Sequence, residues 1–326
     1  MRRVLTSMFV CCSSISAFAG ETTPAITDFA FEGGVKYAYL KNKMRYASQY
    51  NGYPRISGFT SATLGWNDLI SKGVELSAKF THNPTSIFAN VSLLAGWNSD
   101  RSGNMRDIDF ISSSGVTIFD TVSATKINHN YAVHFDVGRT YLIGTASLSP
   151  SLGYYYADTK MDAYGGTALP VGNNTLYNNI GIAPGFSIAS SININTEQSI
   201  VHAPRFSVGL HQPLTDSISL IIEPAYMPLA KITFNDWHRI SSDKMQDGIP
   251  NLIAKNKGWG YSLDADLNYK YSQSISFSMG LKYTKFAMGE ANALNRMVVG
   301  NNIQTNGTKS VDFETLGLLM GAKYKF

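Results

Sequence analysis

The chain has 326 residues, with 27 Lys and Arg against 23 Asp and Glu, and charged residues make up only 15% of it. A net charge of +4 is too small for a nucleic-acid-binding surface, so we expect no nucleic-acid partner. No run of about 18 apolar residues follows residue 20, which excludes membrane-spanning helices. The low charge, together with 12% aromatic residues, is instead typical of a membrane β-barrel.

The first 19 residues have the pattern of a secretory signal peptide. Met1-Arg2-Arg3 is basic, Val4 to Cys12 is a short apolar run, and Ala17-Phe18-Ala19 places small residues at the −3 and −1 positions. We therefore predict a signal peptide at 1–19, cleavage before Gly20, and a single barrel domain at 20–326.

The two cysteines leave one alternative for this segment. Cys11 and Cys12 would fit a lipoprotein signal, but they lie early and lack the usual small residues before them. Both fall inside the predicted signal peptide, so residues 20–326 contain neither a disulfide nor a thiolate metal site.

Two-residue periodicity dominates the rest of the chain, most clearly in the run from Trp259 to Tyr271. One face of that run carries aromatic residues at both ends and aliphatic residues between them, while the other carries Ser, Asp, Asn and Lys. A soluble half-buried strand also alternates, but a lipid-facing side with two aromatic girdles and a polar lumen predicts this order better. The last residues alternate in the same way and end on Phe326, as outer-membrane barrel strands do.

Taking the alternating runs in order gives ten strands. The fold class predicted is all-β: a ten-stranded antiparallel transmembrane β-barrel with long extracellular loops and short periplasmic turns. The long loops are expected near 99–126, 165–199, 235–256 and 290–308. Pro224 and Pro228 interrupt the seventh strand, which requires either a bulge or a segment above the membrane there, because proline cannot donate to the strand ladder.

Two short segments contain the candidate catalytic residues. Asp107 and Asp109 are one residue apart, so on an extended chain both would point to one side and could share a proton and polarise a water molecule. Asp236 and His238 follow a strand far downstream, and a carboxylate beside an imidazole can hold it as a general base near neutral pH. Taken separately, each pair also fits ordinary solvated loop residues; together they would make a hydrolase without a metal or a covalent intermediate.

These segments resemble a known family. Gly103-Asn104-Met105, then Asp107, Asp109 and Phe110, is similar to the active-site loop of the omptin family of outer-membrane proteases, and Asn235-Asp236 with His238 resembles the second half of that site. The resemblance implies an aspartyl endopeptidase of protein or peptide substrates, with Asp236, His238, Asp107 and Asp109 as catalytic residues. It also implies an active cleft facing the cell exterior.

The resemblance also concerns partners and specificity. Omptins place acids at the bottom of the cleft, where this chain has Met44 and Phe234, so we expect a specificity that is not dibasic. Trp237 stands where the family usually has an acid, and it either contacts substrate or is a rim aromatic. Omptins need lipopolysaccharide, but Tyr164 replaces an Arg associated with that lipid, which puts the requirement in doubt.

Two other functions remain open from the sequence. One is a non-catalytic barrel of this shape, acting as an adhesin or structural outer-membrane protein; the other is a small channel, which charged lumen residues disfavour. We expect a monomer in the outer membrane and no cofactor other than a possible lipopolysaccharide. No metal site is expected, because the remaining histidines show no ligand spacing.

Overall fold

A computed structural model describes residues 28–49, 60–98, 100–111, 116–171, 185–239, 250–289, 291–299 and 302–326. The predicted signal peptide lies outside these residues. The described part of the chain forms thirteen strands: β1 (Phe29–Gln49), β2 (Thr60–His82), β3 (Ile87–Trp97), β4 (Asn104–Ile111), β5 (Val116–Arg139), β6 (Tyr141–Ile143), β7 (Ala146–Ala168), β8 (Ser187–Pro213), β9 (Ile218–His238), β10 (Leu252–Lys270), β11 (Ile275–Met288), β12 (Ala291–Val299) and β13 (Asn302–Lys325). Among these residues no helix is long and apolar enough to cross a membrane.

The strands close into an antiparallel ring with ten positions. β1 pairs with β2 on one side and with the last strand, β13, on the other. β3 and β4 occupy one position in succession, since both pair with β2 and with β5. β12 similarly continues β11, and the short β6 pairs with β7. The predicted ten-stranded antiparallel barrel is therefore confirmed.

The strands extend further than the alternation pattern indicates. Most of the predicted loop at 99–126 is strand, as β4 and the first half of β5, and β8 begins at Ser187 inside the predicted loop at 165–199. The predicted loop at 235–256 likewise contains the end of β9 and the start of β10. The prediction failed because apolar and polar residues are mixed on each face of these strand ends, so their two-residue signal is weak.

An apolar belt surrounds the outside of the barrel near its short-turn end. Outward side chains on β1, β10 and β13 are 37–52% exposed although they are aliphatic or aromatic: Val35, Tyr37, Tyr39, Tyr261, Leu263, Leu267, Tyr269, Leu316, Leu318 and Met320. Soluble proteins rarely expose so continuous an apolar surface. Aromatic residues bound the belt along β10, with Trp259 at one edge and Tyr271, the residue after the strand, at the other, which is the arrangement expected of a lipid-facing surface.

Ion pairs fill the lumen at the height of the belt. The Arg205 guanidinium, 1% exposed, donates to Asp136 Oδ2 at 2.5 Å and to Glu223 Oε1 at 2.6 Å. Lys282 lies within 3.1 Å of Glu75 and 3.0 Å of Asp264, and Lys36 bonds Asp266. These charges are satisfied by each other, so the lumen is a packed polar core rather than an open pore.

A bulge in the seventh ring strand accommodates Pro228, which is one of the two alternatives left open by the sequence, whereas Pro224 pairs in register with Leu263. β9 is continuous, but its pairing with β10 shifts register between Gly258 and Gly260, opposite Pro228 and Leu229. Leu229 has a positive φ of 53°, a conformation that non-glycine residues adopt mainly at such irregularities.

Replacing Arg205 should destabilise the barrel strongly. Arg205→Leu leaves the buried Asp136 and the partly buried Glu223 without their cation, and removing one partner of a buried ion pair costs about 3–5 kcal/mol. Urea unfolding of the refolded protein in detergent measures this loss.

Lys285→Leu is the matched control for that experiment. Lys285 pairs with Glu314 at 2.9 Å, but the two side chains are 26% and 35% exposed, so about 1 kcal/mol or less should be lost. Equal losses in the two variants would contradict the account of the lumen as a core held together by buried ion pairs.

Candidate active site

Asp107 and Asp109 project into the barrel from β4. In the pairing with β2, Asp107 lies opposite Leu64 and Met105 lies opposite Trp66. Leu64, Trp66 and Met105 are buried in the interior, and paired residues of an antiparallel sheet share a face. The two carboxylates therefore stand on the inner wall, side by side, as the spacing predicts. They lie in a strand and not in the predicted loop.

Asp236 and His238 form a hydrogen-bonded couple at the end of β9. His238 Nε2 lies 3.2 Å from Asp236 Oδ2. Asn251 fixes the backbone on both sides of the couple: its side-chain oxygen accepts from the His238 N–H at 2.9 Å, and its own N–H donates to the Asp236 carbonyl at 2.7 Å. The imidazole is 41% exposed and the carboxylate only 9%, so the ring stands between the buried acid and solvent.

This part of the barrel rises well beyond the apolar belt. Asp236 follows Tyr226, an outward residue of the belt, by ten positions. At about 3.3 Å per residue and a strand tilt of about 45°, the carboxylate lies on the order of 20 Å above the belt. The site is therefore in the water-exposed part of the molecule.

The two walls face each other closely enough for their charges to interact. Burial raises the pKa of Asp107 well above its usual range; Asp109 and Asp236 raise it further, and His238 opposes them. Burial also raises the pKa of Asp109 to about 6, again against the influence of His238. The side chains of β4, at the third position of the ring, and of β9, at the seventh, thus form one group although they are far apart in sequence.

An apolar layer lies beneath the four polar residues. Met44 is 1% exposed and Phe234 is 0% exposed, and the ring of Phe234 stacks on Tyr46 with centroids 5.0 Å apart. Both belong to one buried cluster with Leu64, Trp66, Met105, Met161, Leu252 and Met288. The two positions predicted to contact substrate thus form a closed apolar floor in this structure.

Trp237 does not share that interior. It lies opposite Thr196 on the outer face of the wall, while its neighbour Asp236 lies opposite Glu197 on the inner face. Lys160 Nζ and Arg239 Cζ approach the indole ring to 5.4 and 6.0 Å from its centroid. The alternation that points Asp236 inward points Trp237 outward, so this placement does not support a substrate contact and favours the alternative of an outer rim aromatic.

Glu197 is a site residue that the sequence did not indicate. It lies on β8 directly opposite Asp236, and it is fully buried. Burial raises its pKa well above the usual range, Asp236 and Asp107 add to the shift, and the Trp66 indole and His238 oppose it. The Trp66 N–H faces the carboxyl group without forming a normal hydrogen bond. No motif marks Glu197, because it falls in a stretch predicted to be loop.

A second group of potential ligands lies in the lumen, away from this site. His134, Asp136 and Glu223 offer atoms within 4.8 Å of one another, which makes them the one metal-like cluster among the described residues. Arg205 already binds both carboxylates, so the cluster is compensated without an ion. A polar cavity of about 360 Å³ near the short turns is lined by residues of the same ion-pair network, including Lys36, Glu75 and Lys282.

Comparison with known proteins supports the fold. The chain matches no protein-family model and no curated protein sequence. Among solved structures it is similar to the outer membrane protease OmpT from Escherichia coli, with 16% identity and a TM-score of 0.73 over 94% of this chain and 99% of that one. OprG from Pseudomonas aeruginosa (11% identity, TM-score 0.34, 91% and 95% covered) and the translocator domain of NalP from Neisseria meningitidis (9%, 0.33, 100% and 96%) are much less similar. The chain thus has the fold of an OmpT-like barrel.

Proposed function

We propose that this protein is an outer-membrane endopeptidase of omptin type. The observation that supports this most directly is the meeting of the Asp236–His238 couple with Asp107 and Asp109 across the barrel. Each pair alone would be an ordinary set of polar residues. Two pairs that face each other can act together on a water molecule and a peptide bond placed between them. The likeness to the structure of an outer membrane protease agrees with this function.

The geometry supports a direct attack of water on the peptide carbonyl. Neutral His238 accepts a proton from the water as the water oxygen bonds to the carbonyl carbon, and Asp236 stabilises the imidazolium that forms. Asp107 and Asp109 orient the same water from the opposite wall, and they share a proton because two close carboxylates do not both ionise easily. His238 then returns its proton to the leaving amine as the C–N bond breaks.

The surroundings of the site fit a location in the outer membrane with the cleft toward the exterior. The site lies beyond the lipid-facing belt, at the end of the barrel opposite the short turns. Cationic groups stand on the outer wall below it: Arg101 and Lys126 lie 4.3 and 5.1 Å from the centroid of the Tyr164 ring. Although Tyr164 replaces the family's Arg, these cations offer partners for a lipopolysaccharide phosphate, so we retain that lipid as a possible requirement.

The apolar floor determines the proposed specificity. A substrate side chain that enters between the two walls would point toward the buried layer that contains Met44 and Phe234, and neither residue offers a charge to Lys or Arg. Desolvating a cation against such a surface without a partner is costly. The enzyme should therefore prefer apolar or small side chains at the cleavage site over basic ones.

A non-catalytic barrel that uses the same groove to bind a protein is the second candidate. The exposed imidazole and the outer aromatic residue Trp237 would suit adhesion as well as catalysis. The channel is less well supported, because the Arg205 cluster occupies the lumen. Catalysis is the property that separates the first two candidates.

Replacing His238 should abolish peptide hydrolysis. Protein refolded with lipopolysaccharide should cleave an unstructured protein, and His238→Ala should lower kcat by at least about a hundredfold, because general base catalysis contributes roughly 10²–10⁴. His211→Ala, in the lumen near the short turns, is the control and should retain full activity. Cleavage by the His238 variant at the wild-type rate would exclude the proposed mechanism.

The rate of hydrolysis should decrease in acid. Asp109 has a pKa raised to about 6, so it becomes protonated as the pH falls through that value and then accepts hydrogen bonds from water less well. Histidine also gains a proton in this range. We expect kcat/KM to rise from pH 5 to 7 and then level off. A flat profile over this interval would contradict the roles of Asp109 and His238.

A peptide library should show an apolar or small residue at the cleaved bond. Peptides differing only in that residue, Leu or Ala against Lys or Arg, measure the preference as a ratio of kcat/KM. The floor predicts a ratio above about 10 in favour of Leu, since an unpaired buried cation costs more than 1.4 kcal/mol. A preference for Arg or Lys would refute the assignment of Met44 and Phe234.

A further inference from the structure

Glu197 is the most deeply buried acid near the proposed site, and it rests directly against the Asp–His couple. β8 and β9 are in antiparallel register here, with Glu197 opposite Asp236 and Asn195 opposite His238. Side chains opposite each other on one face have Cβ atoms about 4.5–5.5 Å apart. Glu197 is 0% exposed, and both of its carboxyl oxygens lack a hydrogen-bond partner among the described residues.

An ionised Glu197 would be poorly accommodated. The titratable groups that face it are Asp236 and His238 on β9 and Asp107 on β4, and two of these three are acids. The Trp66 indole on β2 is the nearby donor, and it does not form a normal hydrogen bond. A buried carboxylate beside two others, with no cation bound to it, is more stable when it carries its proton.

A protonated Glu197 has one O–H to donate, and a suitable acceptor stands beside it. Asp236 Oδ2 contacts the His238 imidazole at 3.2 Å, whereas the buried Asp236 Oδ1 has no partner among the described residues. A hydrogen bond from Glu197 to Oδ1 would satisfy both groups and fix the rotation of the Asp236 carboxylate. A carboxylate held in this way presents its other oxygen to the imidazole.

We propose that Glu197 is a neutral positioning residue that donates a hydrogen bond to Asp236 and thereby holds the Asp236–His238 couple in its working geometry. This inference rests on the proposed function. The proposal adds Glu197, from the neighbouring strand β8, to the functional group formed by Asp236 and His238 on β9. Glu197 does not touch the substrate, and it acts only through Asp236.

Three variants test the role of Glu197 in catalysis. Glu197→Gln keeps a neutral donor of the same length, so kcat, KM and the pH profile should stay within about threefold of wild type. Glu197→Ala removes the donor, and kcat should fall about 10- to 100-fold with KM nearly unchanged. Ser199→Ala, buried two residues away on the same face, is the matched control and should be as active as wild type. Equal kcat values for Glu197→Ala and wild type would overturn the proposal, as would a Glu197→Gln variant as impaired as Glu197→Ala.

Infrared spectroscopy tests the proton independently of activity. Wild-type protein at pH 7 should show carboxylic-acid carbonyl absorption from the protonated acids of the site, and the part that comes from Glu197 should disappear in Glu197→Gln, while Ser199→Ala keeps it. Identical spectra of wild type and Glu197→Gln in this region would show that Glu197 is ionised and would overturn the inference. If wild type and His238→Ala both fail to hydrolyse peptides, the endopeptidase assignment fails and the positioning role with it, whereas the infrared band still decides whether Glu197 is neutral.

Discussion

Closure of the sheet is the constraint on which the rest of this structure depends. A ring of ten antiparallel strands fixes which strands lie opposite each other, and the two-residue period then fixes which side chains point to the axis. β4 and β9 stand at the third and seventh positions, so their inward residues must face each other across the interior. The strand count and the register thus bring the site together, although β4 and β9 are far apart in the sequence.

Burial determines how these residues behave once they face each other. The apolar layer around Met44, Phe234 and Trp66 removes water from beneath the carboxylates, and this desolvation is the largest cause of the raised pKa values of Asp107, Asp109 and Glu197. Acids that share protons near neutral pH can accept and orient water, whereas fully ionised acids in solvent would only repel one another. We propose that the same layer disfavours a cationic substrate side chain, so that the raised proton affinity of these acids and the proposed specificity both arise from the removal of water.

Much of this arrangement was accessible from the sequence, and the failures have a common cause. The belt strands were predicted well because lipid outside and polar residues inside impose strict alternation, as between Trp259 and Tyr271. The spacing of Asp107 and Asp109 predicts that both point to one side, and the pairing of β4 with β2 makes that side the interior. Above the belt each face mixes polar and apolar residues, so the sequences of β4 and of the start of β8 resemble loops. Glu197 lies in that region and has no sequence signal. For Trp237 the sequence leaves a substrate contact and a rim aromatic open, and the alternation that turns it away from Asp236 favours the second.

The central claim is that the wall carrying Asp109 faces the wall carrying His238, and a titration tests it without any assay of activity. Carbon-13 NMR of labelled aspartate side chains would follow Asp109 in wild type, His238→Ala and the control His129→Ala. Because His238 lowers the pKa of Asp109, which is about 6, the His238 variant should titrate at higher pH while the control matches wild type. An Asp109 titration that is identical in all three proteins would show that the two walls do not interact, and it would contradict the account.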